Sequence, residues 1–370
     1  MSPEQWQTKQ WQTKQFSSET YAFTISSGLE QWLVEQDVSV AFTAHDTVFL
    51  LGRDHDDGAW IEYRGYNKSM GLEHVDTETL YVATHHQLWR FNNVVPVGEV
   101  SEDGFDRVYV PLHASATGYI NAHEVCMQSS GQLVIVNTRF NCLCEPGGGH
   151  SNFVPTWWPP FLPGPVPSDR CHLNGLAMRD SKPAFVTLVS ESNRADGWRL
   201  HRDAGGVVYD VATSEIIATG MSMPHSPRWH NGRLWLANAG FGEFGYIDMD
   251  TGRFEAVINL PGFVRGIRPV GDYAIVGTSK PRAGLMYMGL ELDHVLEKAG
   301  TPPVMGLFVV DLRSGQLCEF LTIEGAAREL FDVIVLPGVR RPKILGFFDG
   351  ENRRMCWPDI AHESEYEVHV

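Results

Sequence analysis

The sequence predicts an all-β fold, a single β-propeller of six blades, and three observations carry that expectation. From Ser39 onward, short β segments alternate with turns built from Gly, Asp, Asn and Pro. Six places share one shape: a polar or bulky residue, a small or turn-like one, a strand, a tight turn and a second strand. They open at Met70-Gly71-Leu72, His123-Glu124-Val125, Asn174-Gly175-Leu176, His225-Ser226-Pro227, Arg265-Gly266-Ile267 and Phe331-Asp332-Val333. The intervals are 53, 51, 51, 40 and 66 residues, and a period near fifty suits a four-stranded propeller blade.

The elements follow in chain order. Residues 5–14 hold a tandem duplication, Gln-Trp-Gln-Thr-Lys twice over, and residues 1–16 read as a disordered extension ahead of a propeller over 17–370. A short helix is expected from Gly28 to Asp37, because Ser27 and Glu30 have capping-box spacing and Leu29, Trp32 and Leu33 form an apolar stripe. Segments 39–44, 47–52 and 60–64 are strands that complete the last blade, since a closed ring leaves no edges. A seventh blade results if they form a blade of their own. The second strands of the six units are expected at 80–84, 133–137, 185–188, 234–238, 273–278 and 343–347. The long fifth interval contains an inserted amphipathic helix, Leu290 to Ala299, stopped by Gly300 with Pro302 beyond. Residues 146–169 are rich in Pro and Gly and carry His150, Trp157, Trp158 and Phe161. They read either as a lid over the channel mouth or as packing across two blades.

Composition excludes several classes. A formal charge of −16 over 370 residues argues against a phosphate backbone as partner. No apolar run is long enough to span a membrane, and the polar N-terminus and six scattered cysteines point to the cytoplasm. The expected partner is a small-molecule or peptide substrate.

Candidate chemistry follows from the repeat. Inner strands of a propeller begin at the central channel, so Met70, His123, Asn174, His225, Arg265 and Phe331 or Asp332 are brought to one ring. Neutral imidazoles bind Zn, Fe, Cu or Ni. The expected ligand set is His123, His225 and Asn174 with His172, two residues before Asn174. The structural alternative is that each histidine satisfies backbone groups at a blade end. His230 sits in a turn, away from the axis. Glu124 and Asp332 are candidate bases or extra ligands, with strand capping as the alternative. Arg265 suits an anionic group or an ion pair with a blade-end acid, and Lys280 with Arg282 suggests a basic rim. No nucleotide cofactor is expected: the GxGxxG match at Gly240 to Gly245 runs into a strand, not a helix. Asp54 to Gly58 is a hairpin turn without the distal Glu of a calcium loop. Cys142 and Cys144 face one side of a strand as core thiols.

The segments Arg170-Cys171-His172-Leu173-Asn174-Gly175-Leu176-Ala177, Met223 through Gly232 with its Pro-His-Ser-Pro-Arg-Trp core, and Phe331 through Val339 resemble a bacterial conserved family of the DUF4915 type. The resemblance runs from about Gly28 to Pro358 and implies a propeller but no established reaction. More distantly, Asn174-Gly175 is similar to the Asn-Gly turn of gluconolactonase- and strictosidine-synthase-type six-bladed propellers. In the lactonases that Asn helps to hold a divalent cation. This chain departs by placing His123 and His225 at comparable openings, which favours a transition metal over calcium.

Three functions compete. The leading one is a metal-dependent enzyme with a His-rich axial site, oxidative modification of a small molecule or peptide being preferred over hydrolysis. A non-catalytic propeller binding a ligand or protein is the second, and a lactonase-like hydrolase using a divalent cation is the third.

Overall fold

Strand pairing in the computed structural model, which describes residues 11–18, 20–280, 289–347 and 350, closes six four-stranded antiparallel units into a ring. Blade I joins the two ends of the chain. Its inner strand Leu330–Pro337 pairs with Val38–Ala44, followed by Thr47–Arg53 and Ala59–Gly65. Blade II runs Leu72–Val75, Thr79–Ala83, Gln87–Asn93, Arg107–Ala116, and blade III runs Ala122–Met127, Leu133–Asn137, Cys142–Pro146, Phe153–Trp157. Blade IV is Leu173–Arg179, Lys182–Leu188, Gly206–Asp210, Ile216–Met221, and blade V is Pro224–His230, Arg233–Asn238, Glu243–Asp248, Arg253–Asn259. Blade VI is Phe263–Val270, Tyr273–Ser279, Gly306–Asp311, Leu317–Gly325.

The alternation of side chains across each strand explains why the second strands are apolar throughout. In Leu133–Asn137, Leu133 and Ile135 enter the core between blades II and III, and Val134 and Val136 the core between blades III and IV. In Arg233–Asn238, Leu234 and Leu236 face blade IV while Trp235 and Ala237 face blade VI. A blade is thus a sheet packed on both faces, and the ring is held by six such joints. Helix α1, Leu29–Gln36, buries Leu29, Trp32 and Leu33 in the joint between blades VI and I. Helix α2, Glu291–Ala299, buries Leu292 and Leu296 and ends at Gly300 with φ of 62°.

Several expectations are corrected. The capping box at α1 does not form: Gly28 is the N-cap with no side-chain hydrogen bond, and Glu30 accepts instead from Ala59 N over 3.0 Å. The extension expected over 1–16 is ordered at its end. Thr13–Ser17 pairs with Tyr21–Ser26, which covers the outer edge of blade VI, because an exposed edge is stabilised by another strand; residues 1–10 lie outside the described residues. The second strand expected at 343–347 is supplied by Val38–Ala44 across the chain closure. Asp106 accepts from Arg340 N and Arg341 N over 2.6 and 2.8 Å and steers the chain away, so Pro342–Ile344 pairs in parallel with Arg107–Ala116 of blade II.

Residues 146–169 pack between two blades. Phe153–Trp157 is the outer strand of blade III, Trp157 Nε1 donates to Ser214 Oγ over 3.1 Å, and Phe161 reaches the Tyr209 ring. These apolar groups gain more from the joint between blades III and IV than from covering an open mouth. Asp54 to Gly58 is the expected turn, with Asp54 Oδ1 accepting from Asp56 N and Gly58 N. Gly240 to Gly245 leaves a 3-10 turn for the strand Glu243–Asp248.

Candidate metal centre

Five of the six inner strands carry a register shift where they reach the channel, between Leu330 and Asp332, Ala122 and Val125, Leu173 and Gly175, His225 and Arg228, and Val264 and Ile267. A bulge re-aims consecutive side chains that a regular strand would send to opposite faces. Here it sends the first residue of four openings, His123, His225, Arg265 and Phe331, toward the mouth and the second into a layer beneath, whereas Asn174 stays behind the cavity wall.

Met70, His123, His225, Arg265 and Phe331 thereby line one cavity of about 290 Å³, and His172 joins them from the turn before blade IV. His172 has φ of 53°, a left-handed conformation uncommon outside glycine. Asp169 holds the residue in place, accepting from His172 N over 3.0 Å and from Nδ1 over 2.6 Å. The imidazole stacks on Trp198 with centroids 4.2 Å apart.

His123, His172 and His225 form a cluster in which one nitrogen from each lies within 4.8 Å of the other two. The hydrogen bonds fix which nitrogen faces inward. His123 Nδ1 meets Asn121 O at 3.1 Å and Thr138 Oγ1 at 2.7 Å, and Thr138 spends its own proton on Leu173 O. His225 Nδ1 meets Met223 O at 2.9 Å, and His172 Nδ1 meets the Asp169 carboxylate. In His123 and His225 the Nδ1 is therefore the protonated nitrogen, which leaves Nε2 as the one turned to the cluster, and His172 likewise commits Nδ1 to Asp169. Burial, reinforced by the Arg265 charge, holds His123 and His225 well below the usual imidazole range, so both are neutral at physiological pH.

Asn174, expected as a ligand, sits behind the cluster. Its Oδ1 accepts from Thr187 Oγ1 over 2.8 Å and its amide nitrogen approaches His225 Nε2 at 3.3 Å. In this arrangement it positions His225 and presents no oxygen to an ion. Glu124 and Asp332, expected as bases, are not brought to the histidines. Glu124 accepts from both Leu176 N and Arg228, and Asp332 from Leu72 N, Val333 N and Arg228 Nη2. The bulge turns them into the lower layer, where each carboxylate caps the neighbouring blade's inner strand and both share one buried guanidinium. Gly175 is required in that layer, since a Cβ there would lie 2.3 Å from Pro227 Cδ. His230 is away from the cluster, on Gly271 O at 2.7 Å. Lys280 packs its backbone on Arg328 and is not part of the cavity wall, and Arg282 lies outside the described residues.

Sequence reasoning missed Asp169, Trp198 and Arg228. Asp169 was readable in principle from its spacing three residues before His172. Arg228 stands out as a charge inside an otherwise buried strand.

The model of one protein family, the domain of unknown function DUF4915, matches residues 27–345. The chain belongs to this family. The match covers the three segments that carry the resemblance and stops short of Pro358, the end expected for it. No curated protein matches the chain significantly. Among solved structures, a chain of the nidogen/laminin complex aligns with a TM-score of 0.51 at 10% identity, covering 82% of this chain and 99% of that one. A protein of unknown function from Bacteroides caccae aligns at 0.47 and 8% identity over 81% and 98%. An inactive virginiamycin B lyase from Staphylococcus aureus aligns at 0.39 and 9% identity over 86% and 100%. At these identities the first likeness concerns the fold alone.

Proposed function

We propose that His123, His172 and His225 hold a transition metal ion and that this DUF4915 protein is a metal-dependent enzyme acting on a small molecule admitted to the axial mouth. The observation that carries the reading is three buried imidazoles, each with Nδ1 committed elsewhere, converging on a cavity wall. The donor set fits: all-nitrogen ligation suits Zn, Cu, Fe or Ni and disfavours calcium, which takes oxygen ligands. The Asp169 carboxylate on His172 is the kind of outer partner that orients metal-binding histidines.

When bound, such an ion supplies Lewis acidity or one-electron chemistry. The chain's own residues orient the three rings and present Arg265 beside the cluster. Oxidative modification is favoured over hydrolysis by one observation. Glu124 and Asp332 are held by Arg228 below the cavity, and the acids that line it, Asp169, Asp196 and Glu329, are engaged with His172, Arg199 and Arg265, so none is placed as a general base for activating water.

Elemental analysis of purified wild type, His123→Ala and His225→Ala tests this. We expect a stoichiometric metal in wild type, lost from both variants, with far-UV circular dichroism unchanged. A redox-active metal supports oxidative chemistry, whereas zinc alone favours hydrolysis. Metal-free protein from every preparation, including metal-supplemented growth, overturns the reading in favour of a non-catalytic binding propeller.

A further inference from the structure

Two hydrogen-bond donors in the cavity wall are buried without an acceptor. Arg265 is 5% exposed and Trp198 is 1% exposed, and neither Arg265 Nη2 nor Trp198 Nε1 has a partner. Leaving such groups unsatisfied costs about 1–3 kcal/mol each, more for a charged one, so an orphan of this kind calls for a function. The rest of the guanidinium is fixed. Its Nη1 lies 3.4 Å from Glu329 and its plane sits over the Phe331 ring at 4.6 Å, which leaves Nη2 as the free tine of the fork.

The rim repeats the sign. Lys68 and Arg139 both lie over the half-exposed Tyr119 ring, 4.6 and 5.3 Å from its centroid. The acids of the wall are engaged: Asp169 with His172, Asp196 with Arg199 at 3.2 Å, Glu329 with Arg265. A chain of net charge −16 therefore presents a locally cationic entrance, an arrangement that draws anions inward.

We propose that the cavity takes a small organic anion whose oxyanion group, carboxylate or phosphate, is bound by Arg265 Nη2 with Trp198 Nε1 beside the three histidines. Charge-assisted bonds of this type are the strong ones. The inference names the substrate class of the site proposed above and rests on that reading only for the metal's role, not for the anion's.

The test is calorimetric titration of full-length protein with acetate and, separately, inorganic phosphate. It uses wild type, Arg265→Gln and Arg265→Lys, with metal content measured on every sample. We expect one of the two anions to bind wild type and to bind Arg265→Gln about tenfold more weakly or worse, with Lys retaining part of the affinity and metal content unchanged across the three. Which anion binds distinguishes carboxylate from phosphate. Arg265-dependent binding in protein that never holds metal keeps this inference and removes the metal reading. Binding of neither anion to metal-loaded wild type, or equal affinity in Arg265→Gln, overturns it. If Arg265→Gln does not fold, Trp198→Phe keeps the ring on His172 and removes only Nε1. A loss of about threefold or more then supports the inference, and unchanged affinity overturns it.

Discussion

The mouth layer and the layer beneath it are built from adjacent residues and do opposite work. His123 and Glu124 are neighbours, as are His225 and Ser226, Arg265 and Gly266, Phe331 and Asp332. The first of each pair faces the cavity; the second meets the next blade. Glu124 accepts from Leu176 N, Ser226 from Gly266 N at 3.0 Å, and Asp332 from Leu72 N at 3.0 Å. Three small or acidic side chains thus tie successive inner strands together, and the glycines between them allow close approach. Above them, the mouth carries three converging imidazoles and two buried donors with no acceptor. One layer is satisfied internally and the other is not, which is how a scaffold and a site differ.

The sharpest way to break this contrast is Arg228→Leu. Burial pushes the Glu124 and Asp332 carboxyls above their usual range, and Arg228 pulls both back. Removing the guanidinium leaves two buried carboxylates facing each other, for an expected loss of about 3–5 kcal/mol in urea unfolding. The loss should shrink as pH falls from the raised range of the buried carboxyls to the ordinary carboxylate range, and vanish below it, where both groups are neutral in the folded and unfolded chain alike. Adding Glu124→Gln and Asp332→Asn should restore most of the stability. A small, pH-independent effect of Arg228→Leu would mean that the lower layer does not hold the ring.

In the upper layer, Asp169→Asn should reverse the pattern. Asn keeps the bond from His172 N and loses the charge on Nδ1, so stability should fall by about 1 kcal/mol at most. Metal affinity, measured by competition with a chelator, should fall about 10- to 100-fold. An unchanged affinity would show that His172 does not serve the metal.

Much of this architecture was legible in the sequence because the repeat is covalent. Six openings at near-regular intervals place His123, Asn174, His225 and Arg265 at one level, and the blade joints require the apolar second strands that mark them. What was not legible arises from geometry that the spacing does not encode. A bulge adds one residue and rotates its neighbour, so Glu124 and Asp332 could be located at the channel but not assigned to its lower layer. The segment 343–347 resembles a second strand, yet the N-terminal Val38–Ala44 occupies that place, a competition between distant segments that no local pattern reveals. The pairing of Arg228 with acids 104 residues away on either side is likewise a product of closure.

The smallest test probes a titratable group that belongs to the scaffold alone. His74, on the inner strand of blade II, has a buried Nδ1 with no partner, and burial followed by the Arg268 charge lowers its imidazole from 6.5 to about 4. The unfolded chain takes up this proton near pH 6.5 and the folded chain only near 4, so between those values the unfolded state binds more protons. The contribution to stability is present in full above pH 6.5 and is lost as pH falls through that window, with a slope below about 1.4 kcal/mol per pH unit. His74→Gln should therefore give a flatter stability profile than wild type from pH 6.5 down to 4, with metal content unaltered at neutral pH. Parallel profiles would mean that the imidazole of His74 titrates alike in both states.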